Sequence, residues 1–247
     1  MAEQAPETRI AALEAEVAAL RAEMQEFTYA VSHDLRAPLR HIISFAQLVQ
    51  EDAGPQLDAE VQGFLGTIGD SARHMGLLLD GLMALHRVGS VPLEVCAVPL
   101  QAVVSEVCTE LRAQHVGRTV EWRIGNGLPV VQADPSLLHQ ALQHVLGNAV
   151  KFSATQEHAI IDVEAVAHPD PHRMMTLQVR DNGAGFNPAL QSQLFRVFGR
   201  LHGAKQFEGI GMGLVLTRKI LQRLGGAVEA AALADGGCCV HLSLPLI

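Results

Sequence analysis

The strongest constraint on the fold is a heptad of apolar residues near the amino terminus. Successive apolar positions are alternately three and four residues apart, with glutamate and arginine between them. No glycine occurs from residue 7 to residue 52, and Pro38 is the only internal proline there. The pattern predicts one helix over residues 7–52, paired with a second copy in a coiled-coil dimer; a lone amphipathic helix is the alternative. The heptad positions are Ile10, Leu13, Val17, Leu20, Met24, Phe27 and Val31.

A polar segment at residues 51–56 ends this helix and precedes a second amphipathic stretch at residues 57–86. Two helices joined by a short turn form an antiparallel hairpin, and two hairpins form a four-helix bundle. The glycine- and proline-containing segment at 89–99 marks a domain boundary. We therefore expect a helical domain at residues 1–90, a linker at 91–97 and a second domain at 98–247.

The second domain has a mixed pattern. It predicts helices at about 100–114 and 213–224, and strands at about 119–124, 158–167, 174–180, 227–233 and 238–244. Asp134 and Pro135 are typical N-cap and first-turn residues, so another helix begins there. The arrangement predicts an α+β sandwich with helices on one face of a mixed sheet.

Composition excludes several classes of protein. The formal net charge is -8, and no lysine- and arginine-rich block with interleaved aromatics indicates nucleic-acid binding. No apolar run reaches the ~20 residues of a membrane span, and the amino terminus does not resemble a signal peptide. The cysteines lack zinc-site spacing, so we expect reduced thiols in a cytoplasmic protein. They are Cys96, Cys108, Cys238 and Cys239.

His33 is a candidate nucleophile. It falls at a heptad position that faces away from the predicted seam, and Asp34 follows it directly. A neutral imidazole attacks through one nitrogen while the other holds a proton, and a neighbouring carboxylate can fix that tautomer. Pro38 removes a backbone N–H just beyond and bends the helix. The competing interpretation is an ordinary surface histidine, because the chain has 12 histidines.

The segment from Phe27 to Arg40 resembles the H-box of sensor histidine kinases, in the form found in phytochrome-like and other soluble-sensor members. Four further segments resemble the other boxes of this family, in family order. They are the N-box at 138–153, the G1 box at 179–186, the F-box at 194–202 and the G2 box at 208–214. The resemblance covers roughly residues 27–245 and implies the Bergerat (GHKL) ATP-binding fold.

Within these boxes the resemblance implies an ATP site with Mg²⁺. Asn148 is the implied Mg²⁺ ligand, and Asp181 the implied acceptor for the adenine amino group. Residues 187–208 fit a mobile lid, and glycine-spaced amides at a helix N-terminus bind phosphate. The implied nucleotide-binding residues are Asn148, Lys151, Asp181, Gly183, Gly185, Arg200, Lys205, Gly209, Gly211, Gly213 and Leu214.

The family resemblance also implies an activity and its partners. His33, assisted by Asp34, would take the γ-phosphoryl group of ATP and pass it to an aspartate on a separate response-regulator receiver. The chain would act as a homodimer under an upstream sensor module. Two alternatives stay open: a receiver-docking pseudokinase or phosphatase-dominant module with weak kinase activity, and a plain ATPase of the gyrase, chaperone and mismatch-repair superfamily.

Two positions depart from the family pattern. The N-box carries His144 where an earlier asparagine is usual, which is expected to alter nucleotide affinity or Mg²⁺ geometry. Ala37 stands where many relatives have threonine or asparagine, one helical turn after the histidine. Because alanine cannot orient a hydrolytic water by hydrogen bonding, we expect a weak or differently built phosphatase activity.

Overall fold

The computed structural model describes residues 4–166, 170, 173–203 and 206–247. The chain divides into two compact units, with the boundary between Arg87 and Val88. Among the described residues, no helix is long and apolar enough to span a membrane. Lys205, one of the predicted phosphate contacts, lies outside the described residues.

The first unit is a helical hairpin. Helix α1 spans Gln4–Asp52, a short 3-10 turn spans Gly54–Gln56, and helix α2 spans Ala59–Ser90, with its last turn in the second unit. The Asp58 carboxylate accepts a hydrogen bond from the Val61 amide at 2.9 Å, which caps the start of α2. Helix α1 is the long first helix that the heptad predicts.

Contacts across the hairpin show that α1 and α2 run antiparallel. Leu39, Ala72 and Leu79 form a small buried cluster between them. Arg36 pairs with Asp80 at 3.0 Å. Compared with Leu39 and Ala72, this pair lies nearer the start of α1 and nearer the end of α2. The heptad side chains remain exposed in the single chain, with Leu20 58% and Phe27 65% accessible. One chain therefore leaves the apolar seam of α1 uncovered.

The second unit is built on a five-stranded mixed sheet, in the order β2-β4-β5-β7-β6. Strand β2 pairs parallel with β4, and every other pair in this sheet is antiparallel. A separate two-stranded antiparallel sheet joins β1 to β3. The strands are β1 (Cys96–Pro99), β2 (Val120–Ile124), β3 (Val130–Ala133), β4 (Ala159–Val166), β5 (Met174–Asp181), β6 (Ala227–Ala232) and β7 (Cys238–Pro245).

Three helices complete this unit: α3 (Leu100–Gln114), α4 (Pro135–Phe152) and α5 (Gly213–Arg223). The predicted N-cap is present, since the Asp134 carboxylate accepts from the Leu137 amide at 3.0 Å. Helix α4 packs between α3 and α5 and also contacts β5. Its apolar face is fully buried, including Leu138, Leu142 and Leu146. The side of α4 that is not buried in this core is polar, and it lies next to α5.

The sequence prediction of an α+β sandwich is confirmed, with two differences of detail. Strands β1 and β3 were not predicted; each has four residues, too short for an alternating pattern to stand out. Because β1 begins at Cys96, the last two residues of the predicted linker 91–97 lie in a strand. The part of this linker without helix or strand is residues 91–95.

Candidate active site

His33 is exposed on α1. Its side chain is 67% accessible, and that of Asp34 is 82% accessible. The His33 Nδ1 atom and the Asp34 Oδ1 atom are 3.1 Å apart. Because a carboxylate only accepts, Nδ1 carries the proton in this contact, and Nε2 keeps its lone pair. This contact favours the tautomer in which Nε2 is the unprotonated nitrogen.

Tyr29, one turn before His33 on α1, supports this ring. The two rings are nearly parallel, with centroids 6.3 Å apart. Tyr29 also contacts His86 of α2 at 5.9 Å. Neither residue is predicted from the sequence, since aromatic neighbours across a hairpin leave no local signal. The orientation of the imidazole is therefore linked to the end of α2.

In the second unit, the polar side of α4 carries His144, Asn148 and Lys151. A Cβ atom added to Gly213 would lie 3.6 Å from Asn148 Nδ2 and 3.6 Å from His144 Cβ. Both side chains therefore flank the first residue of α5. Burial lowers the pKa of His144, so its imidazole is neutral at neutral pH.

Lys151 is half-buried at the end of α4. Its ammonium lies 4.5 Å from the centre of the Phe152 ring, a cation–π distance. Burial, and secondarily the nearby Arg200 charge, lower the pKa of Lys151. A Cβ atom added to Gly209 would lie 3.5 Å from its Nζ atom. Two cations and a glycine-rich loop therefore meet at this point, which is suited to an anion.

Arg118 binds the carboxyl-terminal end of α4, a contact that no pattern in the sequence predicts. Its guanidinium donates to the Val150 carbonyl and to Ser153 Oγ, the latter at 3.2 Å. Burial lowers the pKa of Arg118, but an arginine stays protonated at neutral pH. A cation on the last carbonyls of a helix also complements the helix dipole. It fixes the turn from which Lys151 projects.

Asp181 ends β5 and is buried. Its carboxylate accepts from the Gly183 amide at 2.9 Å. Burial raises the pKa of Asp181 to about 6, although backbone hydrogen bonds from Gly183 and Cys238 oppose this shift. At Gly183 a Cβ atom would lie 2.5 Å from the Phe152 carbonyl oxygen, so no side chain fits there. Gly185 follows with φ of 59°, a conformation that favours glycine.

The segment 187–208, predicted as a lid, starts with a 3-10 helix at Pro188–Gln193. His202 Nε2 donates to the Gly185 carbonyl at 2.8 Å, and its ring contacts those of Phe152 and Phe207. Arg200 donates to the Phe207 carbonyl at 2.6 Å. These contacts fix Arg200 beside Lys151 and His202 beside the G1 box.

Helix α5 begins at Gly213, with Leu214 half-buried in its first turn. Gly209 and Gly211 precede it with φ of 120° and 75°, which are accessible to glycine at low cost. The structure thus brings the described residues of the N, G1, F and G2 boxes into one region of the second unit. His33 and Asp34 lie in the first unit.

Comparisons with known proteins agree with this arrangement. Residues 133–247 match the family model described as "Histidine kinase-, DNA gyrase B-, and HSP90-like ATPase". Residues 23–90 match that of the "His Kinase A (phospho-acceptor) domain".

Two relatives have the same sequence identity to this chain. Cyanobacterial phytochrome B of Nostoc sp. is 30% identical over 95% of this chain and 31% of its own length. The methanogenesis regulatory histidine kinase FilI of Methanothrix harundinacea is 30% identical over 93% of this chain and 25% of its own length. The chain thus spans less than a third of each relative.

Among solved structures, full-length ShkA in complex with AMPPNP superposes with a TM-score of 0.61 at 24% identity. The match covers 90% of this chain and 46% of that one, and it supports the fold. Together with both family models, these matches show that the chain belongs to the histidine kinase family, with a phospho-acceptor domain followed by a GHKL-type ATPase domain.

Proposed function

We propose that this chain is the catalytic core of a histidine kinase that transfers the γ-phosphoryl group of ATP to His33. The observation that carries the proposal is the His33–Asp34 contact of 3.1 Å on an exposed helix face. An ATPase that hydrolyses its substrate has no need of an exposed histidine of fixed tautomer. This contact therefore favours the kinase over the plain ATPase.

The nucleotide would bind on the polar side of α4. Asp181 would accept from the adenine amino group, and Gly183 and Gly185 would shape the loop beside it, because a Cβ atom at either position would meet neighbouring backbone. Lys151, Arg200 and Lys205 would contact the phosphates as cations. The amides around the start of α5 would bind phosphate oxygens; they belong to Gly209, Gly211, Gly213 and Leu214.

The residues present also fit a nucleotide-bound Mg²⁺ ion. The Asn148 side chain lies at Gly213, beside the expected phosphates, and an amide oxygen is a suitable ligand for a hard cation. When bound, Mg²⁺ would neutralise phosphate charge. Asn148 would hold it from α4.

In the proposed step, the Nε2 lone pair of His33 attacks the γ-phosphorus in line. The N–P bond forms as the bond to the β–γ bridging oxygen breaks, and ADP leaves. Asp34 accepts the hydrogen bond from Nδ1–H throughout and stabilises the positive charge that develops on the imidazole. Positioning and charge neutralisation supply most of the acceleration.

The phosphoryl group would then pass to an aspartate of a separate response-regulator receiver in a cytoplasmic two-component system. Homodimerisation through the exposed heptad of α1 is part of the proposal, because a single chain leaves this seam uncovered. We place the domains at residues 1–90 and 98–247, joined by the linker at 91–97, of which residues 91–95 have neither helix nor strand. An upstream sensor module is supported by relatives that extend far beyond the matched region.

Incubation with γ-labelled ATP and Mg²⁺ tests the proposal. We expect label on the protein that is stable in alkali and lost in acid, as is typical of a phosphoramidate. Release of labelled inorganic phosphate with no labelled protein would support the plain ATPase instead. Nucleotide binding without either product would support the pseudokinase.

A further inference from the structure

His144 occupies a specific place in the proposed nucleotide site. It lies one turn before Asn148 on α4, and a Cβ atom added to Gly213 would be 3.7 Å from its Cγ atom. The imidazole of His144 and the amide of Asn148 therefore flank the same residue at the start of α5. A nucleotide-bound cation next to Asn148 would be close to this imidazole.

The Nε2 atom of His144 is buried and has no hydrogen-bond partner among the described residues. A buried polar atom that loses water without gaining a partner destabilises the folded state. Such orphaned atoms are rare in folded proteins and require an explanation, such as an ion or a ligand that completes them. In this position the missing partner would belong to the nucleotide complex.

A second histidine on α4, His139, differs from His144 because its Nε2 atom has a partner. The Nε2 atom of His139 contacts Glu110 Oε1 at 3.2 Å, on the side of α4 that faces α3. His139 lies nine residues before Asn148, which places the two on opposite sides of a helix with 3.6 residues per turn. His139 also forms, with Glu106 and Glu110, a separate group that could hold a metal ion. Its substitution therefore tests whether a histidine signal from Mn²⁺ comes from that group instead of from His144.

We propose that His144 Nε2 is a direct ligand of the divalent cation that accompanies the nucleotide, beside Asn148. The consequence is a changed cation preference. Mg²⁺ prefers oxygen ligands and gives up water reluctantly, whereas first-row transition-metal ions accept imidazole nitrogen readily. Mn²⁺ is the weakest binder of that series, but it takes imidazole nitrogen more readily than Mg²⁺ does, so a His144 ligand is expected to shift the site's preference from Mg²⁺ towards Mn²⁺. This inference rests on the proposed function of the second unit as an ATP site.

Pulsed electron paramagnetic resonance on the full chain tests the ligand directly. The chain is labelled with ¹⁵N-histidine and mixed with Mn²⁺ and AMPPNP. We expect a ¹⁵N hyperfine coupling to Mn²⁺ that is lost in His144→Asn and kept in His139→Gln. Because only histidine carries ¹⁵N, nitrogen atoms of the nucleotide do not contribute to this signal.

A binding measurement supplies the second readout. AMPPNP affinity is measured with Mn²⁺ and with Mg²⁺ for the same three proteins. We expect the ratio of the two affinities to shift towards Mg²⁺ by about tenfold in His144→Asn and to stay unchanged in His139→Gln. The asparagine variant restores the usual family residue, so it is not expected to abolish binding.

Two outcomes would overturn the inference, and they are distinguishable. If AMPPNP binds with Mn²⁺ and no ¹⁵N coupling is seen in the wild-type chain, His144 is not a ligand, and the proposed ATP site stands. If AMPPNP binds with neither cation, the proposed function fails and this inference fails with it.

Discussion

Asp181, the proposed acceptor for the adenine amino group, lowers the stability of the folded chain at neutral pH. Its carboxylate is 5% exposed, and burial raises its pKa to about 6. At neutral pH the folded protein therefore holds a buried charge that water would solvate better. The neighbouring amides of Gly183 and Cys238 offset part of this cost. A hydrogen bond donated by the adenine amino group would offset the rest of this cost.

This shift predicts a pH-dependent effect of Asp181→Asn on the free energy of unfolding. The folded pKa lies above the ordinary aspartate value of 3.8, so the folded state binds the extra proton between about pH 4 and pH 6. Stability from this group is thus greatest below pH 4 and falls as pH rises to 6. The variant avoids that loss and should be more stable than wild type at pH 7.5, by up to about 3 kcal/mol, with little difference at pH 4.

Urea unfolding at both pH values measures this difference. Asp235→Asn, a change in an exposed turn, is the matched control and should show no such pH dependence. A stabilisation by Asp181→Asn that is larger at pH 4 than at pH 7.5 would contradict the assignment. The same variant should bind AMPPNP more weakly, because the proposed acceptor for the adenine amino group is changed.

The side chain of Ala37 leads to a prediction about phosphatase activity. It is exposed on α1, one turn after His33, and its methyl group cannot orient a water molecule. We expect Ala37→Thr to increase phosphate release from a receiver that the chain has phosphorylated, with phosphorylation of His33 retained. The release rate in the presence of ADP measures this. An unchanged rate in a variant that still phosphorylates the receiver would show that the phosphatase activity does not depend on this position.

At the scale of elements, the end of α4 depends on a residue from outside the helix. Arg118 precedes β2, yet its guanidinium binds the Val150 carbonyl and Ser153 Oγ. Its donated hydrogen bonds stop the last turn of α4 from fraying. Because Asn148 and Lys151 lie on that turn or next to it, their positions depend on this contact.

Arg118→Met should therefore lower both stability and nucleotide affinity. Loss of charged hydrogen bonds to buried acceptors is expected to reduce the free energy of unfolding by about 1–3 kcal/mol. AMPPNP affinity should also fall in chains that remain folded, since Lys151 is no longer held in place. Urea unfolding and calorimetric titration measure the two effects at a concentration where the chain is folded.

Arg123→Met is the control for this experiment. Arg123 is 53% exposed and pairs with Glu121 at 2.8 Å on the same strand, where an ion pair contributes little. We expect it to leave AMPPNP affinity unchanged. Equal effects of the two substitutions on affinity would show that Arg118 does not position α4.

The helices could be predicted from the sequence because their signals are local. The heptad defines α1, and Asp134-Pro135 defines the start of α4. Strands β1 and β3 could not be predicted. Strands of four residues are stabilised by pairing with each other and are too short to show a pattern of alternating apolar and polar residues. The parallel pairing of β2 with β4 is likewise a property of the folded chain. Arg118 lies 32 residues from Val150, so no spacing in the sequence connects them.

At the scale of the whole molecule, the uncovered heptad of α1 predicts a dimer. Leu20 is 58% exposed and lies in the seam. Leu20→Asp would bury a charge between two chains, which is strongly unfavourable. We expect the variant to dissociate at concentrations where wild type is dimeric, as measured by analytical ultracentrifugation.

Ala18→Asp, an exposed position outside the seam, is the control and should remain dimeric. A monomeric wild-type chain, or a Leu20→Asp variant that dimerises as tightly as wild type, would argue against association through this heptad. The ATPase domain is expected to keep its AMPPNP affinity in both variants, because its fold does not involve these residues.

The central claim is that His33 accepts the phosphoryl group, and site-specific loss of label tests it most directly. Wild type, His33→Gln and His41→Gln are incubated with γ-labelled ATP and Mg²⁺. His41 is an exposed histidine on the same helix. We predict acid-labile label on wild type and on His41→Gln, and none on His33→Gln, with AMPPNP affinity equal in all three. Label retained on His33→Gln at the wild-type level would contradict the assignment.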